Sequence, residues 1–95
     1  MGWYYYVEGK VTYPFHAKCI KTREISPLEV GEKVKVVEQA SEDECMREIF
    51  VKILWQKRKL AVPLAQLMPS QKSDAETLEA VADWHYWIDR GYEFG

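Results

Sequence analysis

The sequence predicts a mixed α/β protein of the α+β class. We expect a small SH3-like antiparallel β-barrel over residues 12–69, a short N-terminal helix over 1–11 and a C-terminal helix over 74–91. Three observations predict this arrangement. Short runs in the middle of the chain alternate apolar and polar side chains, a helix-spaced apolar stripe follows them, and 95 residues are enough for one domain with a single core.

The middle of the chain carries the strand patterns. "FHAKC", "EKVKVVE" and "REIFVKILWQ" each place alternate side chains on one face, and "LAVPLAQL" reads as a partner strand that ends near Pro63. Pro27 and Gly31 mark a turn, and residues 57–59 form a second, polar turn. The expected core residues are Cys19, Val34, Val36, Val51, Ile53, Trp55, Val62 and Leu64.

The C-terminal segment has the signals of a helix. Ser73 and Glu76 have the spacing of an N-terminal capping box, and Asp74 adds negative charge near the positive end of the helix. Gly91 stands where a left-handed C-terminal cap belongs. The apolar stripe contains Leu78, Val81, Trp84, His85, Trp87, Ile88 and Tyr92.

The opposite face of this predicted helix is acidic. It carries Glu76, Glu79 and Asp83. Charged side chains on the face away from an apolar stripe are usually hydrated. We therefore expect this face to lie in solvent.

The first segment, "MGWYYYVEGK", is dense in aromatic rings, and its spacing fits a helix or a strand. A short helix that ends at Gly9 is the interpretation we favour. Large rings must bury most of their area or form an exposed patch. We expect the two aromatic ends of the chain to pack together. The alternative is an interface for a protein partner or a second copy, and its residues are Trp3, Tyr4, Trp84, Trp87 and Tyr92.

The cysteines and the charge balance exclude several classes of protein. Cys19 and Cys45 form no CxxC pair, so both are expected to be reduced and buried on apolar strand faces. The net charge of -2 does not favour nucleic acid, although Lys18, Lys21, Arg23 and residues 57–59 supply a small basic patch. No apolar run is long enough to span a membrane, and no secretory signal is recognisable.

Catalytic motifs are also missing from the sequence. There is no GxSxG, no glycine-rich phosphate loop and no HExxH. His16 and His85 stand alone, and a histidine among aromatic residues on a helix is usually a packed, hydrogen-bonded ring. We expect a protein that is not an enzyme.

A cluster of acids offers a candidate metal site. Within residues 38–48 the chain carries Glu38, Glu42, Asp43, Glu44 and Glu48. Calcium takes six to eight oxygen ligands, and carboxylates are its usual protein donors. The spacing is not that of an EF-hand, so by itself it fits a solvated turn as well as a calcium site.

Four stretches together resemble the CcbP-type calcium-binding proteins: "GWYYYVEGKVTYPFHAKC", "ISPLEVGEKVKVV", "LAVPLAQLMP" and "DWHYWIDRGYEF". The resemblance implies a compact, cytoplasmic α/β protein that binds Ca²⁺ without EF-hands. By position it implies Glu8, Glu42, Asp43 and Glu44 as ligands. The chain departs from the pattern at Gly9, where the family tends to carry an acid, and at its first residue, since relatives usually carry an acidic extension before this Met.

Two functions follow from these observations. In the first, the protein binds Ca²⁺ weakly through the acidic segment and Glu8. In the second, the same scaffold has lost the metal and serves as a protein-interaction or self-association module through its aromatic residues.

Overall fold

The computed structural model describes residues 2–41, 45 and 48–91. These residues form two α-helices and five strands, and a 3₁₀ turn lies between the last two strands. In chain order they are α1 (Gly2–Lys10), β1 (Phe15–Cys19), β2 (Lys33–Gln39), β3 (Phe50–Trp55), β4 (Arg58–Pro63), the 3₁₀ turn (Leu64–Gln66), β5 (Leu67–Pro69) and α2 (Ala75–Asp89).

The strands form one antiparallel sheet in the order β4-β3-β2-β1-β5. The predicted α+β class is confirmed. The closed SH3-like barrel is not, because β4 and β5 are the two edges of an open sheet. Helix α2 lies beside the β5 edge, where the Nε2 atom of His85 is 2.7 Å from the carbonyl oxygen of Leu67. His85 is thus the packed, hydrogen-bonded ring that its surroundings predict.

One face of the sheet packs against the two helices and forms the core. Seven of the eight predicted core residues are buried; the exception is Trp55, which is half-buried at the end of β3. Cys19 and Cys45 are both free and buried, as predicted. Cys45 does not lie on a strand, however, because β3 begins only at Phe50.

The turn between β3 and β4 begins one residue earlier than predicted and is shorter. Gln56 and Lys57 form it, with φ angles of 50° and 72°, and Trp55 pairs directly with Arg58. Two successive residues with positive φ are typical of the tight hairpin turns whose twist matches that of the strands. Arg58 and Lys59 therefore belong to β4.

Helix α2 begins one residue later than the predicted capping box. Its N-cap is Asp74, whose side chain accepts a hydrogen bond from the backbone N–H of Thr77 at 3.3 Å. Ser73 cannot serve as the cap because it lies in the preceding turn, where its N–H donates to Ser70 at 2.9 Å. The C-terminal end follows the prediction: Gly91 has φ 89° and its N–H donates to Ile88.

The acidic side of α2 is not simply hydrated. Lys10 Nζ lies 2.8 Å from Glu79 Oε1, and the Tyr6 hydroxyl donates to Asp83 at 2.7 Å. Both contacts link α1 antiparallel to α2, while Glu79 and Asp83 remain exposed, so the face lies in solvent as predicted and also carries these two contacts. Within the described part of the chain, neither helix combines the length and apolarity needed to cross a membrane.

Candidate metal site

The acidic segment 42–44 supplies three of the four ligand candidates, Glu42, Asp43 and Glu44, and it lies outside the described residues. Its flanks are described. Cys45 is buried, and its Sγ atom lies 3.8 Å from the carbonyl oxygen of Ala40 and accepts a hydrogen bond from the N–H of Phe50 at 3.3 Å. The residues on both sides of the acidic segment are therefore held to the end of β2 and the start of β3.

Helix α1 is fastened to the same place. The buried hydroxyl of Tyr4 donates to the carbonyl oxygen of Ala40 at 3.0 Å, and the Gln39 amide donates to the carbonyl oxygen of Tyr4 at 3.0 Å. The Tyr13 hydroxyl in turn donates to Gln39 Oε1 at 3.2 Å. This network joins α1 to the last residues before the acidic segment.

Glu8, the fourth candidate, is exposed and lies one helical turn after Tyr4. Burial raises the pKa of the Tyr13 phenol far above its usual range, and the nearby Cys45 and Glu8 side chains raise that pKa further. Glu8 thus belongs to the helix that is hydrogen-bonded to Gln39 and Ala40, shortly before the acidic segment.

The two outer acids of the cluster have other partners. Glu48 receives two hydrogen bonds from the Arg23 guanidinium, at 2.8 and 3.3 Å, and this contact raises the pKa of Arg23. Glu38 pairs with Lys59 at 3.1 Å. Both basic partners are distant in sequence, so a count of acids alone could not identify these carboxylates as ion-paired.

The donor set fits calcium in chemistry. Glu8 and the acidic segment offer only carboxylate oxygens, which hard cations such as Ca²⁺ prefer. Among the described residues no three acidic, histidine or cysteine side chains form a group that could hold a metal ion.

The aromatic interface candidates are largely used in packing the helices. Trp84 is fully buried and Tyr4 is 9% exposed, so these two residues offer almost no surface to a partner and their assignment to an interface is wrong. Trp3 and Trp87 are half-buried, with ring centroids 5.5 Å apart; Trp3 also packs edge-on against Trp84 at 5.4 Å. Tyr92 lies outside the described residues.

Comparisons with known proteins agree with the fold described above. The sequence model of the CcbP family, described as calcium binding, matches residues 1–88. The crystal structure of Anabaena CcbP is similar to this chain with a TM-score of 0.82 and 33% identity, over 99% of this chain and 76% of that one. A calcium-binding protein solved in its calcium-binding form has a TM-score of 0.85 and 32% identity, over 99% and 77%.

A comparison with curated protein sequences finds no significant match. The matched family is one of calcium-binding proteins and not of enzymes. Because its sequence model spans almost the whole chain and the fold agrees with two solved structures, this protein belongs to the CcbP-type calcium-binding family.

Proposed function

We propose that this protein binds Ca²⁺ through Glu8, Glu42, Asp43 and Glu44. The observation that carries the proposal is the hydrogen-bond network through Tyr4, which fastens the helix of Glu8 to the residue pair that precedes the acidic segment. Three neighbouring carboxylates rarely supply six oxygens alone, so a fourth from α1 is what completes such a donor set. A relative of 32% identity described in a calcium-binding form supports the choice of metal.

Binding should be weak. Calcium affinity depends on the number of charged ligands and on the rigidity of the site. Four carboxylates with no acid at position 9 place the Kd at ~10⁻⁴–10⁻³ M, the range of low-affinity modules. The proposed location is the cytoplasm, and the two free, buried thiols support it because disulfides are rare there.

Calorimetric titration of chelator-treated protein with Ca²⁺ tests the ligand set. Asp43→Asn and Glu8→Gln should each weaken the binding, since each removes one carboxylate and keeps the size of the side chain. The matched control is Glu24→Gln, which removes the same charge from an exposed position between β1 and β2. Equal affinities for Glu8→Gln and Glu24→Gln would show that Glu8 is not a ligand.

Gly9 allows a gain-of-function test. Gly9 lies in α1, and a Cβ atom added there would meet nothing within 4 Å, so a side chain fits without displacement. Gly9→Asp should tighten Ca²⁺ binding by adding a carboxylate next to Glu8, and Gly9→Asn, of the same shape without the charge, should not. If neither the natural sequence nor Gly9→Asp gives calcium heat, the ligand assignment is wrong.

The alternative function, an interaction module without metal, has weaker support. Of its five aromatic residues, only Trp3 and Trp87 are described as partly exposed, and they contact each other. Tyr4 and Trp84 are buried within the protein itself, so neither ring can supply the large central contacts that an interface usually has.

A further inference from the structure

The outward face of the sheet at its β5-β1-β2 end is basic. Lys18 stands directly opposite Lys33 on β2, and His16 stands opposite Lys35. All four side chains are exposed and point away from the core, because residues that alternate with them are buried. We call these four residues the basic face.

No carboxylate of the described residues pairs with Lys18, Lys33 or Lys35. Like charges directly opposite each other on neighbouring strands destabilise a sheet. The chain as a whole has a net charge of -2, and the ion pairs of its described residues lie elsewhere, at Glu79, Glu48 and Glu38. Positive charge is therefore concentrated on one face at a cost to folding, which is typical of a surface that meets an anionic partner.

The basic face borders a groove. One cavity of about 460 Å³ is lined by His16, Lys18 and Lys33 together with Met68 and Ser70. A second, of about 520 Å³, shares His16 and Ser70 and continues past Lys72. Met68, opposite Lys18 on β5, is 44% exposed and adds an apolar contact to the positive lining.

The groove contains one carboxylate, and it is engaged within the protein. Asp74 caps α2 through the N–H of Thr77 at 3.3 Å and accepts a hydrogen bond from the Thr12 hydroxyl at 3.2 Å. These contacts lower the pKa of Asp74, the Thr77 bond most of all. The cations along the groove thus remain available to a ligand.

We propose that the basic face and its groove dock an acidic segment of another polypeptide. Opposed side chains on neighbouring strands lie about 5 Å apart, so Lys18 and Lys33 can hold carboxylates of one extended chain. Single-stranded nucleic acid fits less well, because it needs exposed rings on which bases stack, and Phe15, which lines the second cavity, is buried. This inference does not depend on calcium binding.

The test is the fluorescence anisotropy of a labelled oligoglutamate peptide at low ionic strength. The double variant Lys18→Glu with Lys33→Glu should bind at least roughly tenfold more weakly, because it reverses both charges of the central pair. The matched control is Lys57→Glu with Arg58→Glu, which makes the same change in net charge at the exposed β3–β4 turn. The control should keep its affinity within about threefold, since charges far from the groove act only through screened, long-range attraction.

The single variant Lys18→Glu separates binding from folding. It places opposite charges across β1 and β2, so its melting temperature should rise while its affinity for oligoglutamate falls. The proposal is overturned if the natural protein does not bind oligoglutamate, if both double variants lose affinity equally, or if an oligouridylate of the same length binds as tightly as the peptide.

Discussion

Replacing Tyr4 by phenylalanine tests the contact on which the proposed metal site depends. The hydroxyl of Tyr4 donates to the carbonyl oxygen of Ala40 at 3.0 Å, and both residues are buried. The substitution keeps the ring and its packing and removes only this donor. Without this donor the buried carbonyl oxygen keeps only the longer contact with Cys45 Sγ at 3.8 Å among the described residues, and the loss costs about 1–2 kcal/mol.

For a protein of this size each kcal/mol corresponds to roughly 4–8 °C in melting temperature. Tyr4→Phe should therefore melt about 4–16 °C below the natural protein in a thermal scan. The matched control is Tyr86→Phe, because Tyr86 is 64% exposed and its hydroxyl accepts a hydrogen bond from the exposed Arg90 guanidinium at 3.1 Å. The control should change stability by no more than about 0.5 kcal/mol.

The same two variants also test whether the Tyr4 hydrogen bond affects calcium binding. Because Tyr4 holds α1 to Ala40, two residues before the acidic segment, Tyr4→Phe should lower Ca²⁺ affinity although it removes no carboxylate, and Tyr86→Phe should not. Equal melting temperatures for the two variants would show that the hydroxyl contributes nothing to folding. A destabilised Tyr4→Phe with unchanged calcium affinity would refute the role of α1 in positioning Glu8.

Other predictions concern the turn, the thiols and the cap of α2. Lys57→Gly should stabilise the protein by about 1 kcal/mol in urea unfolding, since Lys57 has φ 72°, whereas Arg58→Gly in β4 should destabilise it by about 0.5–1 kcal/mol. Cys19 and Cys45 should react with a thiol reagent only after unfolding; rapid labelling of native protein would contradict their burial. Because hydrogen bonds lower the pKa of Asp74 in the folded state, its stabilising contribution is present above the ordinary carboxyl pKa of 3.8 and is lost as pH falls through the lower folded value. Asp74→Asn should flatten this part of the acid denaturation profile.

Patterns local in sequence predicted most of the elements correctly. Alternation identified β1 to β3 because a half-buried strand repeats every two residues, and most of the predicted core follows from it, apart from Trp55. The helix ends were recognisable from Gly91 and from the acids near position 74, although the cap is Asp74 and not Ser73. Which of these two residues caps the helix depends on the turn before α2, and the spacing of residues in the sequence does not predict that turn.

The candidate site was less predictable. The resemblance of four stretches to a family supplied the metal and the four carboxylates, but not their surroundings. Arg23 and Lys59 reach Glu48 and Glu38 across more than twenty residues of chain. Such pairs depend on which strands become neighbours, and a linear pattern does not contain that information.

The sequence by itself determined the class of the fold, the strand faces, the buried thiols and the family, because each depends on residues close together in the chain or on a long match. The tertiary structure alone decided that the sheet stays open, that Tyr4 and Trp84 are core residues, and that the helix carrying Glu8 is hydrogen-bonded to Gln39 and Ala40. It also decided that Lys18 faces Lys33. These facts arise from strand register and helix docking, in which groups far apart in sequence compete for the same space and the same hydrogen-bond partners.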